Sequence, residues 1–130
     1  MSDFSKSLEV SSSGLRAQAQ RLRHLSENIS NADTPGYRRK MISFETAMIA
    51  GDGVSDVRPS QVRLDRTDLD RIHDPTHPLA DDTGHYEGSN VDLLIELSDA
   101  REAQRSYEAN LKMFEQTRKM SSGLMELLRR

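Results

Sequence analysis

The 130-residue sequence has no cysteine and no tryptophan, three tyrosines, three phenylalanines and four prolines. Without cysteine it forms no disulfide, no thiolate zinc centre and no thiol nucleophile. Six Phe and Tyr side chains are few for the apolar and aromatic walls that a substrate pocket needs, so a conventional globular enzyme is not expected. Aliphatic residues are also sparse. Leu, Ile, Val and Phe supply 27 residues, about 21% of the chain, just above the roughly 20% below which disorder becomes the default reading. No apolar run approaches the ~20 residues needed to span a bilayer. Met1-Ser2-Asp3-Phe4 lacks the basic start and apolar middle of a cleavable secretory signal. The expectation is cytoplasmic residence or an export route that reads an uncleaved chain.

Charge of one sign is not concentrated either. The net charge is −3, made of +3 over residues 1–40, −6 over 41–90 and zero over 91–130. The one basic cluster, Arg38-Arg39-Lys40, is too small for a nucleic-acid face. Neither a nucleic-acid partner nor direct membrane insertion is expected.

What is present is long-range pattern. All four prolines, at 35, 59, 75 and 78, lie in the middle, and interior proline breaks a helix. The chain therefore reads as three segments: a heptad helix within 1–34, a turn motif with an irregular, minor-β middle over 35–88, and a long helix within 89–130. In the first, Leu8, Leu15, Leu22 and Ile29 recur every seven residues, with Phe4, Ser11, Gln18 and Leu25 between them, which is a heptad seam with polar interruptions. Such a helix depends on burying one face, the more so because Gly14 costs ~1 kcal/mol relative to Ala in a helix interior.

The third segment opens with Ser89-Asn90-Val91-Asp92, where Ser89 or Asn90 can cap a helix and Asp92 can reach back to a free N–H. Its seam runs Leu93, Leu97, Ala100, Gln104, Tyr107, Leu111, Phe114, Arg118, Ser121, Met125 and Leu128, widened by Ala103, Met120, Leu124 and Leu127. An ordinary helical bundle would use the same pattern, but no third long helix is available to complete it. Ser-Ser-Gly-Leu occurs at Ser12–Leu15 and again at Ser121–Leu124. The two copies would meet in an antiparallel hairpin whose paired residue numbers add to about 137. The middle offers an element at Met41–Ala50, a turn at Gly51 and Gly53, and alternation at Val62–Asp65, all short.

The constellations that could carry chemistry are weak. His73 and His77, with Asp70, Asp74, Asp81 and Asp82 nearby, suggest a metal site, but Pro75 and Pro78 forbid the helix that would align the two imidazoles. The expectation is a proline-stiffened loop, with no metal, cofactor or catalytic residue. Asn28-Ile29-Ser30 matches a glycosylation sequon by chance, since it lies on the helix seam.

The run Asn28-Ile29-Ser30-Asn31-Ala32-Asp33-Thr34-Pro35-Gly36-Tyr37 carries a backbone signal. Thr34 is pushed out of the helical region by Pro35, Pro35 presets the second turn position, and Gly36 supplies positive φ at the third. The helix must end near Asn31. This run resembles the Asn-Ala-Asn-Thr-Pro-Gly-Tyr/Phe signature of the bacterial flagellar axial proteins of rod and hook, with Asp33 in place of the second Asn. Ser89–Asp92 and Arg105-Ser106-Tyr107-Glu108-Ala109-Asn110 look like the other end motif of that family. Asp74–Asp81 with Gly84 and Tyr86 resembles a region of its short rod subunits, although His85 departs from the usual Gly-Tyr-Val.

The resemblance implies a mainly α fold, in which long N- and C-terminal helices form an antiparallel, coiled-coil-like pair around a short-stranded middle. It also implies a structural subunit of the basal-body rod that assembles with copies of itself, with the rod proteins FlgB, FlgF and FlgG and with FliE. Such a subunit crosses the periplasm after passage, without signal cleavage, through the flagellar type III export apparatus. The seam residues Leu8, Leu15, Leu22, Ile29, Leu97, Tyr107, Leu111, Phe114 and Leu124 would then build the inner layer. Asn28, Asn31, Thr34, Pro35, Gly36 and Tyr37, with Asn110 of the end motif, would fix how the chain leaves it. The competing expectation is a stand-alone coiled-coil adaptor or chaperone.

Overall fold

The computed structural model describes residues 3–48, 53 and 55–129. It is mainly helical, with a long helix near each end and short strands between them, in the order α1 (Asp3–Ser30), β1 (Lys40–Met41), β2 (Phe44–Met48), β3 (Ser55–Pro59), β4 (Arg63–Leu64), β5 (Arg71–His73), β6 (His85–Glu87) and α2 (Leu93–Leu128). The strands form three separate antiparallel ribbons, β1 with β4, β2 with β3 and β5 with β6. Residues 49–51, which include the end of the Met41–Ala50 element and Gly51, lie outside the described residues. Gly53 has φ +65°, as a turn glycine should.

The chain divides into two compact units, one of residues 1–22, 43–60 and 102–130 and one of residues 23–42 and 61–101. In the first unit the N-terminal part of α1 runs antiparallel to the larger part of α2. Gly14 lies against Asn110, where a Cβ on the glycine would come within 3.0 Å of the amide nitrogen, and Arg21 pairs with Glu102 at 3.7 Å. Paired numbers therefore add to 123 or 124, not 137. The two Ser-Ser-Gly-Leu copies do not meet, and the position of a Cβ on Gly123 has no neighbour within 4 Å. The missing Cβ at Gly14 leaves room for the Asn110 side chain of α2, which offsets the glycine's poor helix propensity. The β2–β3 ribbon is tied to α1 through Ser13, whose hydroxyl donates to the Val10 carbonyl at 2.7 Å and accepts from the Val57 N–H at 3.0 Å.

The covered line on α2 is displaced by one residue from part of the seam read in the sequence. Gln104, Leu111 and Arg118 are exposed, while Ala103 is fully buried and Asn110 and Thr117 are half-buried. One residue is about 100° around a helix, so small and polar side chains face α1 and the larger aliphatic ones stay outside. The buried hydrophobic residues among those described are Ala17, Leu25 and Ala103.

The second unit holds the end of α1, the turn motif, the β1–β4 and β5–β6 ribbons and the start of α2. Asp92, not Ser89 or Asn90, caps α2: its carboxylate accepts from the Leu94 N–H at 3.0 Å and the Ile95 N–H at 3.5 Å. Ser89 instead donates its hydroxyl to the Ala32 carbonyl. The loop from Asp74 to Gly84 closes on itself. Asp81 Oδ1 accepts from the N–H and hydroxyl of Thr83 and from the His85 N–H, which holds its carboxyl down at about 2. His77 stacks on Tyr86 with ring centres 3.9 Å apart. Gly84, at φ +78°, could not carry a Cβ, which would fall 2.9 Å from Pro75 Cγ.

Candidate functional site: a buried polar hub

Among the described residues the largest fully buried side chains are polar, Asn28 and Glu96, each at 0% exposure. A buried polar group is costly unless its hydrogen bonds are made, and Asn28 makes all four that an amide can. Its Nδ2 donates to the Lys40 carbonyl at 3.0 Å and to Glu96 Oε2 at 3.2 Å. Its Oδ1 accepts from the Lys40 N–H and from the Tyr37 hydroxyl, both at 2.8 Å. The side chain thus pairs with the Lys40 backbone in both directions, as a neighbouring strand would. Aspartate could not do this, because an ionised carboxylate has no donor.

Glu96 is held from its other oxygen by Arg39, whose Nε donates to Oε1 at 2.6 Å. Arg39 also pairs with Asp65 at 3.4 Å and with Asp99 at 3.9 Å. Burial works against the guanidinium charge, but the Glu96 and Asp65 contacts outweigh it and raise its pKa. Charge-assisted hydrogen bonds of this length are the strong ones. At the hub's edge, Lys40 Nζ sits 2.6 Å from Glu27 Oε2 and holds that carboxyl below its ordinary range. Burial pushes the Tyr37 phenol up.

The turn that delivers Tyr37, Arg39 and Lys40 follows from local chemistry. Gly36 has φ +75°, and the Tyr37 N–H closes the turn on the Thr34 carbonyl at 3.2 Å. Asn31 caps the helix end by donating from its side chain to the Glu27 carbonyl at 2.9 Å, and Thr34 donates to Asn31 Oδ1 at 3.1 Å. The Gly36 N–H reaches the Gly88 carbonyl at 3.0 Å. Asn90 completes the clamp, accepting from the Arg39 N–H at 2.7 Å and donating to the Asp65 carbonyl at 3.0 Å.

The residues nominated from sequence fall into two sets. Asn28, Asn31, Thr34, Gly36 and Tyr37 are joined in the hub and its turn, with Pro35 exposed at the turn's corner, while Asn110 lies against Gly14 in the other unit. The apolar set is not gathered inside the chain: Leu97, Leu111 and Leu124 are exposed, and Leu8, Leu15, Leu22, Ile29, Tyr107 and Phe114 are half-buried. Sequence reasoning missed Glu96, Arg39, Lys40, Asp65 and Asn90 as hub partners. One signal was available, since Arg38-Arg39-Lys40 is the sole basic cluster and directly follows the turn. Among the described residues no group of His, Asp and Glu could hold a metal ion, and no helix is long and apolar enough to cross a membrane.

Known proteins match the same two ends of the chain. Residues 8–38 match the family described as flagella basal body rod protein, and residues 82–127 match the flagellar basal body rod FlgEFG protein C-terminal family. These two stretches contain Asn28 and Tyr37 on one side and Asn90 and Glu96 on the other, while Arg39, Lys40 and Asp65 lie between them. The chain is 41% identical to the flagellar basal-body rod protein FlgC of Agrobacterium fabrum over 99% of its own length and 98% of the relative's. It is 33% identical to FlgC of Bacillus subtilis over 93% and 95%, and 29% identical to FlgC of Salmonella typhimurium over 86% and 88%. With relatives of that similarity along almost the whole chain, the chain belongs to the FlgC family of flagellar basal-body rod proteins.

Proposed function

We propose that this structural subunit of the flagellar basal body works in the proximal rod, as one segment of a helical drive shaft built from copies of itself and from FlgB, FlgF, FlgG and FliE. In this reading the chain passes the type III export apparatus without signal cleavage and joins a tube that crosses the periplasm. It transmits torque by rigid packing, with no reaction. The observation that carries the reading is the exposure of large aliphatic side chains along α2, with Leu94 at 75%, Leu97 at 51% and Leu124 at 48%. Side chains of this size are each worth roughly 1.5–3 kcal/mol when fully buried, and the chain covers few of them alone. Neighbouring subunits would supply that cover, the hub would fix the direction in which each chain leaves the helical layer, and the ribbons would make lateral contacts.

Replacing Leu22 or Leu111 with Asp should abolish swimming and stop rod assembly in cells that depend on this chain. Swimming cells with complete rods would refute the role. The purified monomer should show low helicity by circular dichroism, since the ends of the two helices outside the hub would fold only on assembly. A cooperative, fully helical monomer would refute that coupling.

A further inference from the structure

The α2 face beyond Ser121 leaves several large apolar side chains uncovered. Leu124, Met125, Leu127 and Leu128 are 48%, 61%, 66% and 86% exposed. In the register set by Gly14 with Asn110, Asp3 stands opposite Ser121, and α2 continues for seven described residues past that point. Leu124 and Leu128 are four apart and Leu127 adjoins them, so they share one side of the helix. The guanidinium of Arg129, next in the chain, makes no ion pair or side-chain hydrogen bond among the described residues. The tip is therefore an apolar face, with the free Arg129 cation at the end of the helix and the Glu126 carboxylate on the side away from the leucines.

The other unit holds a surface of opposite character. An open groove of about 460 Å³ is walled by Ile72 and Leu93, which are 39% and 48% exposed, with Asp33, Asp68, Asp70 and Asp92 around it. Asp92 is used as the α2 cap, but the carboxylates of Asp33, Asp68 and Asp70 have no cation or hydrogen-bond donor among the described residues. The groove thus offers apolar walls and three unanswered negative charges, and the tip offers leucines beside an unanswered positive one.

We propose that the α2 tip of one copy docks into the acidic groove of a second copy, with the leucine face against Ile72 and Leu93 and with Arg129 among Asp33, Asp68 and Asp70. The contact joins two different patches of the same chain. It is heterologous, so it propagates into an open filament unless its rotation closes a ring. The inference rests on the rod-subunit reading and adds to it a direction, tip to groove, and a polarity. Because its charges lie at the edge of the contact, salt should weaken it.

The absence of native cysteine makes the test clean. Asp68→Cys combined with Leu128→Cys, in the purified full chain, should give disulfide-linked dimers, while Asp82→Cys with Leu128→Cys, placing the first thiol on the Asp74–Gly84 loop, should not. A bridge requires Cα atoms within about 7 Å. Sedimentation of Asp68→Arg alone and of Arg129→Asp alone should show reduced association, and an equimolar mixture of the two should recover it by exchanging the charges. In basal bodies carrying the cysteine pair, products at twice the chain's mass and at higher whole multiples support the proposal. A product whose mass is not a whole multiple of the chain's assigns the groove to a different subunit and overturns it. A chain that associates without the Asp68–Leu128 link overturns the docking while leaving the rod-subunit reading intact. A chain that stays monomeric at every concentration and enters no rod overturns both.

Discussion

The two regions that matter most use their side chains in opposite ways. In the hub, polar and charged groups are buried and every bond of Asn28 is answered. Along α2, aliphatic groups are exposed and the small residues Gly14, Ala17 and Ala103 take the interior. The inversion is sharpest in Leu93-Leu94-Ile95-Glu96-Leu97, where the one charged residue is fully buried and the four aliphatic ones are 48–75% exposed. The polar bonds fix the geometry of the single chain, whereas the apolar surface is left for contacts beyond it. A subunit made this way can have a defined shape with very little core.

Substitutions should separate the two roles, and their effects on the isolated chain can be ranked. Glu96→Ala takes a fully buried partner from Asn28 and from the half-buried Arg39. Breaking a buried pair costs about 3–5 kcal/mol, which should show as a large fall in the denaturation midpoint followed by tyrosine near-ultraviolet dichroism. A change below 1 kcal/mol would mean that water replaces the carboxylate. Gly84→Ala comes next, since a left-handed conformation costs a non-glycine residue roughly 1–2 kcal/mol and the new methyl would press on Pro75. A midpoint equal to that of the parent chain would show that the Asp74–Gly84 loop rearranges freely.

Acid should act more gently. Asp81 is held at about 2, below its ordinary 3.8, by Thr83 and His85, and Asp74 is lowered by Thr76. A depressed carboxyl contributes stability that is present above its unfolded pKa and is lost as pH falls through the folded one. The β5–β6 loop should therefore loosen between roughly pH 4 and pH 2, read by hydrogen exchange at the Thr83 and His85 amides. Asp81→Asn should flatten that dependence. Leu111→Asp should have the smallest effect on the isolated chain, within about 0.5 kcal/mol as for other surface changes, yet stop assembly. Loss of folding in this variant would erase the contrast between hub and helix face.

The legibility of the sequence follows the same division. Proline placement located both helices, and Thr34-Pro35-Gly36 located the turn to the residue, because these signals act through local backbone sterics. Heptad spacing gave Ser11 and Leu25 as interior positions, but it put Leu111 rather than Asn110 on the α2 seam, and Gln104 at its centre with Ala103 only beside it. Periodicity assumes that the largest apolar residues face inward within one chain, and here size favours the opposite side. Asn28 stood out as part of a motif, but its fourfold bonding did not, since Lys40 and Glu96 become its neighbours only through tertiary closure. Glu96 was hidden for the same reason: a glutamate among leucines reads as a solvated face until Arg39 is brought beside it.

Asn28 and Glu96 are 68 residues apart in the chain. Joining them restricts a long loop, an entropic cost that grows only slowly with length, and everything between them is enclosed by that one contact. A chain cut short before residue 96 would retain Asn28, Tyr37, Arg39 and Lys40 but have no carboxylate to receive them. The hub therefore acts as a completeness check on each molecule: the early half cannot settle its buried polar groups until the late half has arrived, so a fragment is distinguished from a finished subunit by its own failure to close.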